Sequence, residues 1–309
     1  MNRILVIGAS SFIGGHIRRA AAAEGHTVLT AGRADGWSLR FDLASDPAGR
    51  VEALIADAAP DVVVNCAGAT SGSAEVLAAA NITAVHTLVS ALLGFAGGDA
   101  PRLVHLGSAA EYGAITEDSA RDAAGAPVAE DAVPRPAGLY GVTKLAGTRL
   151  VQLGRAAGLD AVVLRLFNVV GAGAPAGSLP GAAAAQLRQL GHDGGHGGTL
   201  KLGPLDAVRD FVDVRDVADA AFAAATAATL PHAVLNIGSG RGVPVRAMVK
   251  QLLAISGCTS TVHEDTQGPE RSPDIPWQQA DISRASADLA WMPHRELVTS
   301  LTDLWQATP

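Results

Sequence analysis

Tyr140 and Lys144 stand four residues apart in "LYGVTKLAGTRLVQLG", a segment of helical periodicity that follows Pro134 and Pro136. At that spacing the two side chains share one helix face, about 6 Å apart at Cβ. A phenol with an ordinary pKa of about 10 exchanges protons poorly at neutral pH, and a neighbouring ammonium lowers that value. The pair therefore suits proton exchange with an alcohol or ketone while a hydride moves at the adjoining carbon. Lys144 also has the reach to hold ribose hydroxyls. Upstream, "VHLGSAAEYG" puts Ser108 just past a strand, where its hydroxyl can hold a substrate carbonyl. A YxxxK pair alone arises by chance on many helices, so the weight lies in its coincidence with other features.

One such feature is the opening stretch "RILVIGASSFIGGHI". A dinucleotide pyrophosphate needs a tight turn after the first strand, close backbone approach and a helix N-terminus pointing at it. Gly8 ends the strand and Gly14 allows close helix packing. Ser11 holds the place of a middle glycine, small enough to permit approach and able to offer its hydroxyl to phosphate. Taken alone, two glycines at this spacing fit an ordinary strand-to-helix junction equally well.

The elements that must position these residues are legible as short apolar runs: 3–7, 27–31, 61–65, 102–106 and 161–167. Each is nearly continuous in hydrophobicity, as strands buried on both faces of a parallel sheet are. Alanine-rich segments of helical length lie between them, including "NITAVHTLVSALLGF". The alternation predicts an α/β fold, a Rossmann-type doubly wound parallel sheet with a smaller C-terminal substrate-binding domain. The expected boundaries are 1–168 for the dinucleotide-binding domain, with return segments near 205–242, and 169–309 for the smaller one. "VLNIGSG" (234–240) reads as a strand re-entering the main sheet.

Composition narrows the classes further. The 309 residues carry a formal net charge of −7, and 48% of them are hydrophobic. With no lysine- or arginine-rich run, nucleic acid and anionic membranes are not expected partners. A few local arginines can still hold a polyanionic small ligand in an acidic protein. Two distant cysteines, Cys66 and Cys258, exclude a disulfide framework and fit a cytoplasmic location. No apolar run approaches the roughly 20 residues of a membrane helix. No metal site is expected: the Gly/His stretch at 191–198 reads as a surface loop, since His192 and His196 have no carboxylate or cysteine at suitable spacing.

The chain resembles the extended short-chain dehydrogenases/reductases, in the branch of NAD-dependent epimerases and dehydratases acting on nucleotide sugars. The resemblance runs nearly end to end, through "GASSFIGGHI", "FDL", "NCAG", "AANITAVHTLVSAL", "GSAAEYG", "YGVTK", "RLFNVVGAG", "RDFVDVRDVADA", "NIGSG" and "DIPWQQADISRASADLAWMP". It implies catalytic roles for Ser108, Tyr140 and Lys144. It implies a cofactor site of Gly8, Ser10, Ser11, Phe12, Ile13 and Gly14 at the first turn and Asp42 and Leu43 beside adenine. Ala67, Gly68, Asn81 and Phe167 continue that site, with Tyr140 and Lys144. On the substrate side it implies Ser108, Asn168, Arg209 and Arg271, the two arginines neutralising the diphosphate of a nucleoside diphosphate sugar. Their bland alternative is a surface ion pair, Arg209 with Asp210 and Arg271 with Glu270. The resemblance also implies a homodimer paired through the helices of Asn81 and Tyr140.

Two departures bear on the reaction. NAD-preferring relatives carry an acidic residue at the end of the second strand, whereas "TAGRADG" has Gly32 and Arg33 there. Arg33 suits a 2′-phosphate, so the expected cofactor is NADP, with NAD the alternative. Dehydratases of the family carry an Asp-Glu pair after the catalytic hydroxyl, and here those places are Ala109 and Ala110. The expected function is reduction of a keto group on a nucleotide-linked (deoxy)sugar, the alternative being 4-epimerisation with tightly bound NAD. A non-catalytic dinucleotide-binding protein would typically have lost the tyrosine or lysine.

Overall fold

A computed structural model describes residues 2–33, 35–95, 100–114, 125–192, 198–265 and 275–307. Arg271, Glu270, His196 and the side chain of His192 lie outside the described residues.

The chain runs through β1 (Arg3–Ile7), α1 (Phe12–Ala23), β2 (Thr27–Gly32), β3 (Leu39–Arg40), α2 (Ala48–Ala58) and β4 (Val62–Asn65). It continues through α3 (Ala74–Ala78), α4 (Ala84–Leu93), β5 (Arg102–Ser108), α5 (Leu139–Ala156), β6 (Ala161–Leu166), β7 (Asn168–Val170) and α6 (Leu179–His192). Beyond these come β8 (Thr199–Leu202), β9 (Val208–Asp213), α7 (Val214–Thr226), β10 (Val234–Ile237), β11 (Gly242–Pro244) and α8 (Val245–Ser256). The last elements are β12 (Thr261–Glu264), β13 (Trp277–Gln278), α9 (Ser283–Leu289) and α10 (Leu297–Gln306).

Seven parallel strands form the main sheet in the order β10-β6-β5-β4-β1-β2-β3. This is a Rossmann-type doubly wound sheet. The chain winds outward from β1 to β3, then crosses back to β4, and a ligand crevice opens beyond the carboxyl ends at that reversal. The strand alternation shows why the runs are apolar throughout. Ile4 and Val6 pack with α1 and α7 on one face, while Leu5 and Ile7 join the residues of α2, α4 and α5 on the other. Burying one such side chain fully is worth roughly 1.5–3 kcal/mol relative to leaving it exposed. β10 joins the sheet beside β6, as expected from "VLNIGSG".

Near the carboxyl ends the α5 face changes character. Asn65 pairs with His105 in the β4–β5 register, and Gly107, Arg165 and Asn236 are aligned across β5, β6 and β10. Asn65, His105, Arg165 and Asn236 are all buried, so a polar band lies under the crevice. Over the crevice, β9 lies between β11 and β13 and also pairs with β7, and β8 pairs with β12. Val170, Leu187, Leu200 and Phe211 belong to a separate apolar core there.

One expectation is corrected. The continuous helical run Ala74–Leu93 is 20 residues long and apolar enough to cross a membrane by composition. Half of it is buried within the fold, and α4 packs against α2 and α5, which accounts for its hydrophobicity.

Candidate active site

At the β1–α1 turn, Gly8 adopts φ +76°, and a Cβ there would lie 2.8 Å from the Ala67 amide nitrogen. A Cβ on Gly14 would overlap the Gly8 carbonyl oxygen. Both glycines therefore answer to close backbone approach. Ser11 is the N-cap of α1: its Oγ accepts from the Gly14 amide at 3.1 Å, so the expected offer of this hydroxyl to phosphate is shared with capping. The amides of Phe12 and Ile13 have no hydrogen-bond partner among the described residues and sit at the positive end of the helix. Backbone donors and absent Cβ atoms together fit a dinucleotide pyrophosphate.

Beyond α1 lies a cavity of about 590 Å³ at the carboxyl ends of β4, β5 and β6. It brings together Phe12, Ile13, Ala67, Gly68, Asn81, Ser108, Tyr140, Lys144, Phe167, Asn168 and Arg209. Gly8, Ser10, Ser11, Gly14, Arg33, Asp42 and Leu43 do not line it. Their turns follow β1, β2 and β3, a row along the sheet edge leading away from the cavity, as an extended dinucleotide requires.

Ser108 ends β5 and Tyr140 and Lys144 lie in the first turns of α5. The Ser108 Oγ accepts from the Ala110 amide at 3.2 Å, which leaves its hydrogen available to a substrate oxygen. Lys144 is 7% exposed and its Nζ donates to the Leu106 carbonyl at 2.6 Å. Burial pushes the ammonium below its ordinary pKa, and the Glu111 carboxylate opposes that. His105 is held neutral well below the usual histidine range, by burial first and by Lys144 second. Burial likewise pushes the Cys66 thiol, on the cavity wall, up to about 12.

Asn81, expected beside the cofactor, lines the cavity and also acts as a brace. It sits in a π-turn, Ala79–Thr83, between α3 and α4, and is 1% exposed. Its Oδ1 accepts from the Ala69 amide at 3.0 Å, and its Nδ2 donates to the Ala69 carbonyl at 2.9 Å and to Thr143 Oγ1 at 3.1 Å. The side-chain amide is spent tying the loop after β4 to α5. Gly68 follows from this, since a Cβ there would stand 3.0 Å from Asn81 Oδ1. The Leu43 side chain is buried in the α2-side core, which leaves its backbone to face the expected adenine position. Asp42 Oδ1 caps the Ala44 amide at 3.0 Å.

The two readings of Arg209 separate cleanly. Asp210 is fully buried, and its carboxylate accepts from Ser239 N at 2.6 Å, Ser239 Oγ at 2.7 Å, Gly240 N at 2.9 Å and Ala280 N at 3.1 Å. Arg209 is half-buried on the cavity wall, bonded through Nη1 to the Val208 carbonyl, with no carboxylate partner among the described residues. Burial acts against its charge. An unpaired desolvated guanidinium is a site for a phosphate-like anion. Asn168 Nδ2 donates to the Asp210 carbonyl at 3.0 Å.

The arginine after β2 is exposed. A Cβ on Gly32 would lie 2.8 Å from the Trp37 indole nitrogen, so the ring occupies the space an acidic residue would need. Arg40 donates to the Arg33 carbonyl at 3.3 Å and pairs with Asp35 at 2.9 Å. Sequence reasoning missed the far wall, where Ser178, Gln186, Lys201 and Gln278 line the cavity. Only Gln278 lay in a motif singled out above.

Residues 4–238 match the NAD dependent epimerase/dehydratase family. A dTDP-6-deoxy-L-talose 4-dehydrogenase (NAD(P)(+)) of Kitasatospora kifunensis is 37% identical, the match covering 99% of this chain and 95% of that protein. A UDP-glucose 4-epimerase of Azospirillum brasilense is 30% identical over 95% of this chain and 88% of its own length. In fold, the chain is similar to RMD from Pseudomonas aeruginosa, solved with NADPH. That match has a TM-score of 0.83 and 24% identity, covering 99% and 98% of the two chains.

Proposed function

This chain belongs to the NAD dependent epimerase/dehydratase family, and from that premise we propose that it reduces a keto group on a nucleoside diphosphate-linked deoxysugar with NADPH, reversibly. Residues 1–168, with the return segments near 205–242, hold the cofactor, and residues of 169–309 complete the sugar-nucleotide site. The observation that carries the reading is the one cavity in which Ser108, Tyr140 and Lys144 stand with Arg209, which has no carboxylate partner among the described residues.

When bound, the reduced nicotinamide supplies the hydride that adds to the carbonyl carbon. Tyr140 gives its phenolic proton to the carbonyl oxygen, making the alcohol. Ser108 donates a hydrogen bond to the same oxygen and orients it. Lys144, fixed by the Leu106 carbonyl, favours the phenolate left on Tyr140 until solvent returns the proton. Arg209 holds the diphosphate. Dehydration by an Asp-Glu pair has no residues to run on: Ala109 and Ala110 occupy those places, and Glu111 is buried against Arg165 at 2.8 Å.

The substrate class to try first is a dTDP-linked 6-deoxyhexose and its 4-keto form, after the Kitasatospora relative. Consumption of NADPH in proportion to keto-sugar supports reduction. Interconversion of two sugar epimers without net NADPH loss, with NAD co-purifying, supports the epimerase reading that the Azospirillum relative favours.

Arg209→Ala should raise the KM for the nucleotide sugar roughly ten- to hundred-fold with little change in NADPH affinity, since it removes one charge-assisted contact. An unchanged KM would mean that the diphosphate sits elsewhere. Arg33→Asp should weaken NADPH binding by roughly tenfold or more and spare or improve NADH, because a carboxylate repels a 2′-phosphate and accepts from a ribose hydroxyl. The NADPH loss should shrink as salt rises. Equal titration curves for NADPH before and after the substitution would make Arg33 a bystander.

A further inference from the structure

Behind Ser108 lies a carboxylate that the reaction above does not use. Glu111 is 0% exposed although it follows the catalytic strand by only three residues. Its side chain turns back under β5, into space that exists because residue 107 is glycine: a Cβ there would lie 2.8 Å from Glu111 Oε1 and 3.3 Å from Arg165 Cγ. Oε1 accepts from the Ser108 amide at 2.8 Å, and Oε2 accepts from Arg165 Nε at 2.8 Å. Arg165 stands directly opposite Gly107 in the β5–β6 register, is 2% exposed, and lies over the Tyr112 ring at 4.5 Å. Tyr112 in turn donates to Asn236 Oδ1 at 2.6 Å.

Two buried charges are costly to assemble, and a buried pair is weak support for stability compared with apolar residues of similar volume. What this pair does locally is hold the backbone of Ser108 at the point where β5 ends and the short 3₁₀ turn Ala109–Glu111 begins. A donor that must meet a carbonyl oxygen within a few tenths of an ångström depends on such support.

We propose that Glu111, clamped by Arg165 in the space left by Gly107, is a positioning residue that fixes Ser108 for hydrogen bonding to the substrate carbonyl. It touches neither substrate nor cofactor, and its effect passes through Ser108. The proposal rests on the role given to Ser108 above.

The test is a double-mutant cycle on the holoenzyme. Either single substitution of the pair strands a buried charge and risks unfolding, so the pair is replaced together, as Glu111→Leu with Arg165→Met, which keeps the volume apolar. The paired variant should melt cooperatively, bind NADPH as wild type does, keep its KM for the nucleotide sugar within about threefold and lose kcat by roughly tenfold or more. Ser108→Ala alone should lower kcat roughly 10²-fold. Combining all three substitutions should cost no more than Ser108→Ala alone, because the pair then has nothing to position. Fully multiplying losses, or a paired variant with wild-type kcat, would overturn the proposal while leaving Ser108 catalytic. Wild-type kcat in Ser108→Ala would overturn the catalytic reading of Ser108 itself, and this proposal with it. If the paired variant fails to fold, Glu111→Met with Arg165→Leu, which also removes the acceptor for the Ser108 amide and leaves no charge behind, replaces it in the same cycle with the same two readings.

Discussion

Tyr140→Phe should leave a folded protein that binds NADPH and nucleotide sugar normally and turns over at no more than about 10⁻³ of the wild-type rate. The substitution removes one O–H group and nothing else. Tyr140 is half-buried on the cavity wall, and a phenylalanine ring fills the same space, so cavity shape and cofactor surface persist. Neighbouring groups are poorly suited to take over. The Lys144 Nζ is committed to the Leu106 carbonyl at 2.6 Å, and Cys66 holds its proton up to about pH 12. His105 is buried, with its Nδ1 bonded to Asn65 at 3.1 Å. Reduction and epimerisation both need the phenol, so the result does not depend on which of them the enzyme runs. Initial rates together with a fluorescence titration of NADPH decide it. Turnover within about tenfold of wild type would remove Tyr140 from the mechanism.

Arg165→Ala should be the most destabilising of the substitutions considered. It empties a site 2% exposed and strips the 0%-exposed Glu111 of its cationic partner. Breaking a buried pair from one side costs about 3–5 kcal/mol, since the remaining charge stays desolvated. Lost stacking on Tyr112 and the void left behind add to this. For a chain of this size the melting temperature should fall by roughly 10 °C. The paired Glu111→Leu, Arg165→Met replacement should recover most of that loss, because it leaves no charge behind. A calorimetric scan of the two proteins side by side gives the comparison. A fall of less than about 2 °C in Arg165→Ala would mean that water reaches the pair.

The first strand–turn–helix and the placement of Tyr140 beside Lys144 were legible because both are local. Strand, glycine turn and helix occupy Arg3–Ala23 without interruption, and the i,i+4 placement of Tyr140 and Lys144 follows from helix pitch alone. The return of β10 to the main sheet was legible for a similar reason, since a short apolar run ended by a glycine turn suits a buried strand. The two-residue β3 was not, because so short a stretch has no periodicity to read.

By itself, then, the amino-acid sequence determined the doubly wound sheet and the chemical groups at its carboxyl edge. Tertiary structure decided what each polar group is bonded to. Asp210 lies next to Arg209 in the chain, yet its oxygens went to amides 29, 30 and 70 residues away, so the guanidinium has no carboxylate partner among the described residues. Asn81 was drawn to Ala69 and Thr143, 12 and 62 residues distant, and became a brace. Glu111 follows two alanines in the chain, and its carboxylate found Arg165 across the sheet, 54 residues on. A hydrogen bond forms with whichever partner burial brings within about 3 Å, and that partner is set by sheet register and helix packing rather than by neighbours along the chain.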